Sequence, residues 1–215
     1  MFGEKAQARY ANGKRTQLGD AGLIAKVNEE RESPVLLESH SATIGGELVI
    51  ETERFLLRPL VDDDVTEKYL EWFNDIDVKK WIVSAESSAT LEKLRSYVGA
   101  RVNRTDILFL GIFVKGNSAH IGNIKYEPIF AEKQVAEMGV LVGDKAYRGS
   151  GVFAEVLSAS SQWLKNNRGI VRITLGVDRR NLPARKAYEK SGFVLVDEAE
   201  LLVCGAQTIK MVLAV

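Results

Sequence analysis

Cysteine is nearly absent: Cys204 is the single one in 215 residues, so no internal disulfide can form and a disulfide-stapled secreted scaffold is excluded. Net charge is also absent, with 29 Lys and Arg against 29 Asp and Glu, and with it the overall basic footprint of a nucleic-acid binder. Long apolar runs are missing. The best one, Ile107 to Val114, falls far short of the about 20 residues that span a bilayer. The first twenty residues carry no apolar h-region, so no signal peptide is expected. Histidine is scarce, with only His40 and His120, and no metal-ligand spacing is present, so no metal is expected. Both histidines stand where a surface residue is the plain reading. These absences lead us to expect a cytoplasmic protein with no membrane or nucleic-acid partner. What is present is enough to build a core: 46% hydrophobic residues and 27% charged.

Residues 1–47 differ from the rest. They are rich in Gly, Ala and charge and end in SHSATIGG, with Pro34 to His40 as a candidate short strand. This segment reads as a flexible extension, or as an arm packing on a partner in a homodimer. Residues 48–215 read as one domain. Leu48 to Leu60 is a strand, or a strand with a bend. Asp62, Asp63 and Asp64 offer N-caps, and Asp64 with Glu67 resembles a capping box for a helix carrying Tyr69, Leu70, Trp72 and Phe73. A second helix begins near Thr90, with Leu91, Leu94, Val98 and Val102 at helical spacing. Three strands are expected next: Ile107 to Val114, His120 to Pro128 and Gln134 to Val142. A helix stripe of Phe153, Val156, Leu157, Trp163 and Leu164 follows, stopped by Gly169. Then come a strand over Val171 to Val177, a short helix capped by Asn181 and stopped by Gly192, and strand-like runs from Phe193, Leu201 and Ile209. The order is that of an α/β domain with a mixed sheet.

The stretch AYRGSGVFAEVL, residues 146–157, places Gly149 and Gly151 beside Arg148 at the mouth of a helix. Glycine lets backbone approach a ligand, and a helix start leaves N–H groups unpaired and partly positive. Together they make an anion site, most naturally for phosphate. A Walker loop is excluded because Gly-Val-Phe stands where Gly-Lys-Ser/Thr is required. A dinucleotide fingerprint fits poorly, since the preceding strands read as an antiparallel meander. Taken alone, the glycine pair also fits a tight turn.

A second stretch adds to the first. Arg148-x-x-Gly151-x-Phe153, followed by Asn181-x-x-Ala184-x-x-Ala187-Tyr188-x-x-x-Gly192-Phe193, resembles the GNAT family of acetyl-CoA-dependent N-acetyltransferases over about residues 48–215. Phe153 departs from the family's last loop glycine or alanine, as it also does in the subgroup that acetylates ribosomal-protein N-termini. The resemblance implies a central, mixed, mostly antiparallel sheet with two splayed strands, flanked by helices. It implies acetyl-CoA as co-substrate, its pyrophosphate on the backbone of Arg148, Gly149, Ser150, Gly151, Val152 and Phe153. Its pantetheine arm would pair with Val140, Leu141 and Val142, and Asn181 and Ala184 would complete the cofactor contacts. It implies Tyr188 as the proton donor to the leaving thiolate, a role open to a phenol protonated at neutral pH. It also points to Glu137, a carboxylate in the otherwise apolar VAEMGVLV, as the base acting through water. A carboxylate paired inside the fold is the other reading of Glu137.

The resemblance implies a primary amine as acceptor, carried by a small molecule or by a protein N-terminus. Trp72, Asn74 and Trp81 are the candidate acceptor-binding residues: two indoles and an amide suit stacking on a sugar, and an amino-sugar nucleotide stands slightly ahead. The same tryptophans also fit a core. Ile121 to Lys125 is a further candidate lining. A non-catalytic acyl-CoA-binding module is the reading from another class.

Overall fold

The computed structural model describes residues 41–44, 47–81, 89–196 and 207–215. The strand candidate at 34–40, His40 and Cys204 lie outside the described residues.

A mixed α/β fold is observed, built on a nine-stranded sheet with the order β1-β2-β3-β4-β5-β6-β7-β9-β8. The strands are β1 (Ser41–Ile44), β2 (Glu47–Glu51), β3 (Phe55–Pro59), β4 (Leu108–Val114), β5 (His120–Phe130), β6 (Val135–Val142), β7 (Arg172–Asp178), β8 (Val194–Leu195) and β9 (Thr208–Ala214). The sheet thus reaches Ser41, ahead of the boundary expected at residue 48. The segment from Leu48 to Leu60 is a hairpin: β2 and β3 pair antiparallel around a turn at Thr52 to Arg54. All neighbouring pairs are antiparallel except β6 and β7.

Among the described residues, five helices flank the sheet: α1 (Glu67–Asn74), α2 (Ile76–Lys79), α3 (Leu91–Gly99), α4 (Val152–Arg168) and α5 (Leu182–Lys190). The start of α1 corrects the expected capping box. Thr66 is the N-cap and accepts from the Tyr69 N–H at 3.3 Å. Asp62–Asp64 instead form a single 3-10 turn, and Asp64 takes both ends of the Arg58 guanidinium, at 2.7 and 2.8 Å. The Asp64 carboxylate also accepts the Val61 N–H at 2.8 Å, so it closes its own turn and is not free to cap α1. α3 starts at the Thr90 cap as expected but stops at Gly99, leaving Val102 exposed in the turn beyond.

Alternation along the strands divides the core in two. One face of the sheet carries Leu57, Leu110, Ile124, Tyr126, Met138, Ile173, Leu175 and Met211, packed with Val152, Val156, Leu157 and Leu164 of α4. The other, over β3 to β5, packs Phe109 and Phe113 with Tyr69 and Trp72 of α1 and with Leu94 and Val98 of α3. Each such large apolar side chain contributes roughly 1.5–3 kcal/mol when fully buried. α4 is the long central helix; its buried Ser160 hydroxyl donates to Val156 O at 2.6 Å and lies 2.7 Å from the Tyr126 hydroxyl.

Candidate active site

The site grows out of one strand. β6 pairs with β5 along its length, but with β7 only at Val135, Ala136 and Glu137. Beyond Glu137 the two parallel strands part. Which backbone groups face the opening follows from the pairing. The Gly143 N–H donates to Ile121 O of β5 at 2.9 Å, and Ala136 O accepts from the Thr174 hydroxyl of β7 at 3.4 Å. Backbone direction alternates along a strand, so Met138, Val140 and Val142 face the opening while Gly139 and Leu141 face β5. Of the three residues expected to pair with a pantetheine arm, Leu141 is therefore turned away, toward Asn123. Val142 O is taken by Arg148 Nε at 2.9 Å. Val140 keeps both its N–H and its C=O for the opening.

The glycine loop lies at the top of the parting. Gly149 and Gly151 both have positive φ, 75° and 82°, and Gly151 is the N-cap of α4 with no side-chain cap. A β-carbon is strained in that backbone region, which explains the residue type. Among the described residues, the N–H groups of Gly149 to Ala154 make no hydrogen bond, the condition for an anion seat at a helix start. Arg54 holds the loop from one side: its Nη1 donates to Ser150 O at 3.0 Å, while its Nε and backbone N–H bind Glu155 at 2.7 and 2.8 Å. Arg148 holds it from the other, with Nη2 on Asp75 at 2.9 Å and on Gly143 O at 2.8 Å. The expected free charge of Arg148 is thus largely engaged inside the protein. Arg54, Glu155 and Asp75 were not foreseen; each acts across about a hundred residues or fewer of intervening chain, and no local pattern marks them.

A cleft of about 660 Å³ opens beside the loop, lined by Val142, Arg148, Phe153, Gln162, Lys190 and Val215 among others. Tyr188 of α5 packs its ring edge against Phe153, centroids 5.1 Å apart, and against Phe193 at 5.7 Å. Burial pushes its phenol up to about 12, above the ordinary value, so it is fully protonated at neutral pH. Asn181 caps α5, its side-chain oxygen accepting from the Ala184 N–H at 3.3 Å. That places both expected residues at the capped start of α5, with the Ala184 N–H already taken by Asn181.

Glu137 is the last residue of β6 paired to β7, on the face opposite Ala136 and Met138. It is half-buried, and burial raises its carboxyl above the ordinary value, against the opposing pull of Lys125 and Lys210. The acceptor residues divide. Trp72 is 5% exposed, in the core against Tyr69 and His120, and it lies so close to Gly143 that a β-carbon there would overlap the indole. It offers no face for stacking on a sugar. Asn74 is exposed at the end of α1, and Trp81 is half-buried beneath Lys80. In the Ile121 to Lys125 segment, Ile121 and Ile124 are core, Asn123 donates to the Tyr69 hydroxyl at 3.0 Å, and Lys125 binds Tyr97 and Glu127.

His120 is not a surface residue. Its ring stacks on Phe113 at 4.8 Å and meets Tyr69 and Trp72. Its Nε2 is 2.9 Å from Gly122 O, and its buried Nδ1 has no partner among the described residues. Burial pushes the imidazole down to about 4, so it is neutral under ordinary conditions. No cluster that could hold a metal ion occurs among the described residues, and no described helix is long and apolar enough to cross a membrane.

Comparison with known proteins agrees with this geometry. The family model for the acetyltransferase (GNAT) domain matches residues 54–194. Among solved structures, a GNAT-family acetyltransferase from Bacillus anthracis is 22% identical with a TM-score of 0.65, covering 77% of this chain and 98% of its own. RimL, a ribosomal L7/L12 alpha-N-protein acetyltransferase solved with coenzyme A, is 15% identical with a TM-score of 0.66, covering 78% and 98%. MccE, the microcin C7 self-immunity acetyltransferase solved with acetyl-CoA and AMP, is 14% identical with a TM-score of 0.65, covering 76% and 93%. Comparison of the sequence with curated proteins gives no match. A parted parallel strand pair, an uncapped glycine helix start and a domain match over most of the chain converge on one assignment: this protein belongs to the GNAT acetyltransferase family, whose members are acetyl-CoA-dependent N-acetyltransferases.

Proposed function

We propose that the protein transfers the acetyl group of acetyl-CoA to a primary amine by direct attack, and that the acceptor is the N-terminal amine of a peptide or protein. The observation that carries the transfer is the parting of β6 from β7 after Glu137, beside a loop whose N–H groups are free of partners. An anionic diphosphate fits that loop, and an extended amide chain fits the open backbone of Val140. Acetyl-CoA supplies the activated thioester. The Val140 N–H presents a donor in the opening where a carbonyl oxygen would develop charge. Glu137, at the point of parting, takes the amine's proton directly or through water. Its raised carboxyl makes it a better base near neutral pH than an ordinary glutamate. Tyr188 gives a proton to the departing sulfur. Ser150 and Val152 contribute backbone to the loop, and Asn181 and Ala184 contribute the start of α5.

The choice of acceptor turns on Trp72. Its burial removes one of the two indoles on which stacking of an amino-sugar nucleotide depended, and the peptide amine takes first place. The likeness to an N-terminal protein acetyltransferase supports the same order. Calorimetric titration with acetyl-CoA, beside ATP and NAD, tests the cofactor: saturable binding of acetyl-CoA alone is expected, and its absence would reject the reading. Thiol release in a screen of N-terminal peptides and amino-sugar nucleotides then tests the acceptor, with turnover on the sugars alone overturning the peptide assignment.

A further inference from the structure

Asp75 stands at the joint between α1 and α2 and is engaged from several directions. Its N–H donates to Glu71 O at 3.0 Å, closing α1, and its Oδ1 accepts from the Asp77 N–H at 3.1 Å, capping α2. The side chain is 8% exposed. Oδ2 receives Arg148 Nη2 at 2.9 Å, and Lys145 Nζ lies 3.3 Å from Oδ1. The Asp77 N–H, reinforced by the two cations, holds the carboxyl below the usual carboxylate range, so Asp75 is charged at neutral pH.

Its partner Arg148 does three things at once. Nε and Nη2 clasp the carbonyls of Val142 and Gly143, where β6 ends. Its backbone opens the glycine loop. Its side chain lines the 660 Å³ cleft, and Nη1 makes no hydrogen bond among the described residues. A free arginine carries rotamer entropy, which a ligand must freeze on binding. Two carbonyls and a carboxylate have already frozen this one. The planar fork makes the arrangement specific, since a lysine could not hold three acceptors in that geometry.

We propose that Asp75 is a positioning residue for the cofactor loop: acting through Arg148, it pre-sets the end of β6 and the glycine loop to receive an anionic diphosphate. The proposal rests on the acetyl-CoA reading above. Asp75 does not touch the reacting atoms. Its contribution is preorganisation, which appears as affinity because the ligand no longer has to order the loop. A purely structural role at the helix joint is distinguishable, because asparagine retains the N-cap and loses the charge.

The test is a double-mutant cycle on coenzyme A affinity, measured calorimetrically on the full chain: wild type, Asp75→Asn, Arg148→Ala and the double variant. Asp75→Asn is expected to weaken coenzyme A by about tenfold. In the Arg148→Ala background the same change is expected to do almost nothing, because the residue it acts through is gone. At saturating cofactor and amine, the turnover number of Asp75→Asn stays close to that of the wild type. Unchanged affinity in Asp75→Asn overturns the proposal, as does a full loss that persists without Arg148. If Arg148→Ala does not fold, Arg148→Lys takes its place in the cycle, and Asp75→Ser supplies a second neutral cap with the same expected loss. A wild-type protein that binds no coenzyme A at all overturns the acetyl-CoA reading itself, and the first titration shows it.

Discussion

The two edges of β7 have the same residues to offer and opposite fates. Toward β9 the strand pairs over its whole length, Arg172 to Asp178. Toward β6 it pairs for three residues, Arg172 to Thr174, and then stops. One edge is a finished ladder, and its hydrogen bonds hold the sheet together. The other is left open in the middle of the sheet, where unpaired backbone would ordinarily invite misfolding. On the proposed reading, the backbone groups of this open interior edge find their partner in acetyl-CoA, and the glycine loop above it seats that ligand's charge.

The largest effects are expected from the two side chains proposed to move protons in the transfer, Tyr188 and Glu137. Tyr188→Phe is expected to lower the turnover number by about 100-fold while leaving coenzyme A affinity intact. Because the phenol sits near 12, the wild-type rate should show no decline from loss of the Tyr188 proton below pH 10. Retained turnover would remove Tyr188 from the mechanism. Glu137→Gln should cost a similar factor and abolish the ascending limb of the pH–rate profile. That limb reflects ionisation of a carboxyl whose value is raised, so the rate climbs with pH through a midpoint above the ordinary glutamate range. An unchanged limb in the variant would leave Glu137 as a structural carboxylate.

Next in size is the loop. Gly151 has φ of 82°, and a β-branched residue there is strained by roughly 1–3 kcal/mol. Gly151→Val should weaken coenzyme A by about 30-fold, as read by titration. Unaltered affinity would mean that the loop is a simple turn.

Proline distinguishes the two edges directly. Val140 turns its N–H to the opening, so Val140→Pro deletes a donor with no partner in the sheet. Its melting temperature should fall little while acetyl transfer falls strongly. Ile209 of β9 lies opposite Val177 in the closed ladder, and the Val215 N–H on Val171 O sets the phase in which Ile209 turns its N–H to β7. Ile209→Pro leaves an unpaired acceptor there at a cost of roughly 1–3 kcal/mol, and should melt well below the wild type. Equal melting of the two variants would erase the distinction between the edges.

The smallest effect on the open edge should come from His120, which lies outside the catalytic arrangement. Its imidazole is depressed from 6.5 to about 4. Between those values the unfolded chain binds the proton and the folded protein does not, so stability is full above pH 6.5 and is lost as pH falls toward 4, by about 3 kcal/mol in all. His120→Phe should flatten the melting curve over that window with coenzyme A affinity unchanged. A pH dependence that survives the substitution would assign it to other groups.

The residues that could be read from the sequence are those whose meaning is local. Gly149 and Gly151 announce a left-handed backbone at a helix start, Asn181 and Gly192 bracket α5, and strand-like apolar runs mark β4 to β7 to within a residue or two at most ends. Asp64 was misread as a cap of α1 because its carboxylate serves Arg58 and the Val61 N–H of the preceding turn, leaving the helix to Thr66. Trp72 fitted a core as well as a stacking surface, and only the packing of α1 against the sheet decides for the core. Arg148 was legible as a charge near the loop, and illegible as a charge already spent on Asp75.

Local chemistry in the chain determined the order of strands and helices, the uncapped glycine start of α4, and the family to which these belong, because each depends on a few neighbouring residues and their backbone preferences. Tertiary structure alone decided that β7 closes on one side and opens on the other, that Trp72 is core, that His120 is a buried neutral ring, and that Asp75 grips Arg148. Those outcomes depend on groups far apart in the chain competing for the same hydrogen bonds and the same buried space, and no short stretch of sequence contains both competitors.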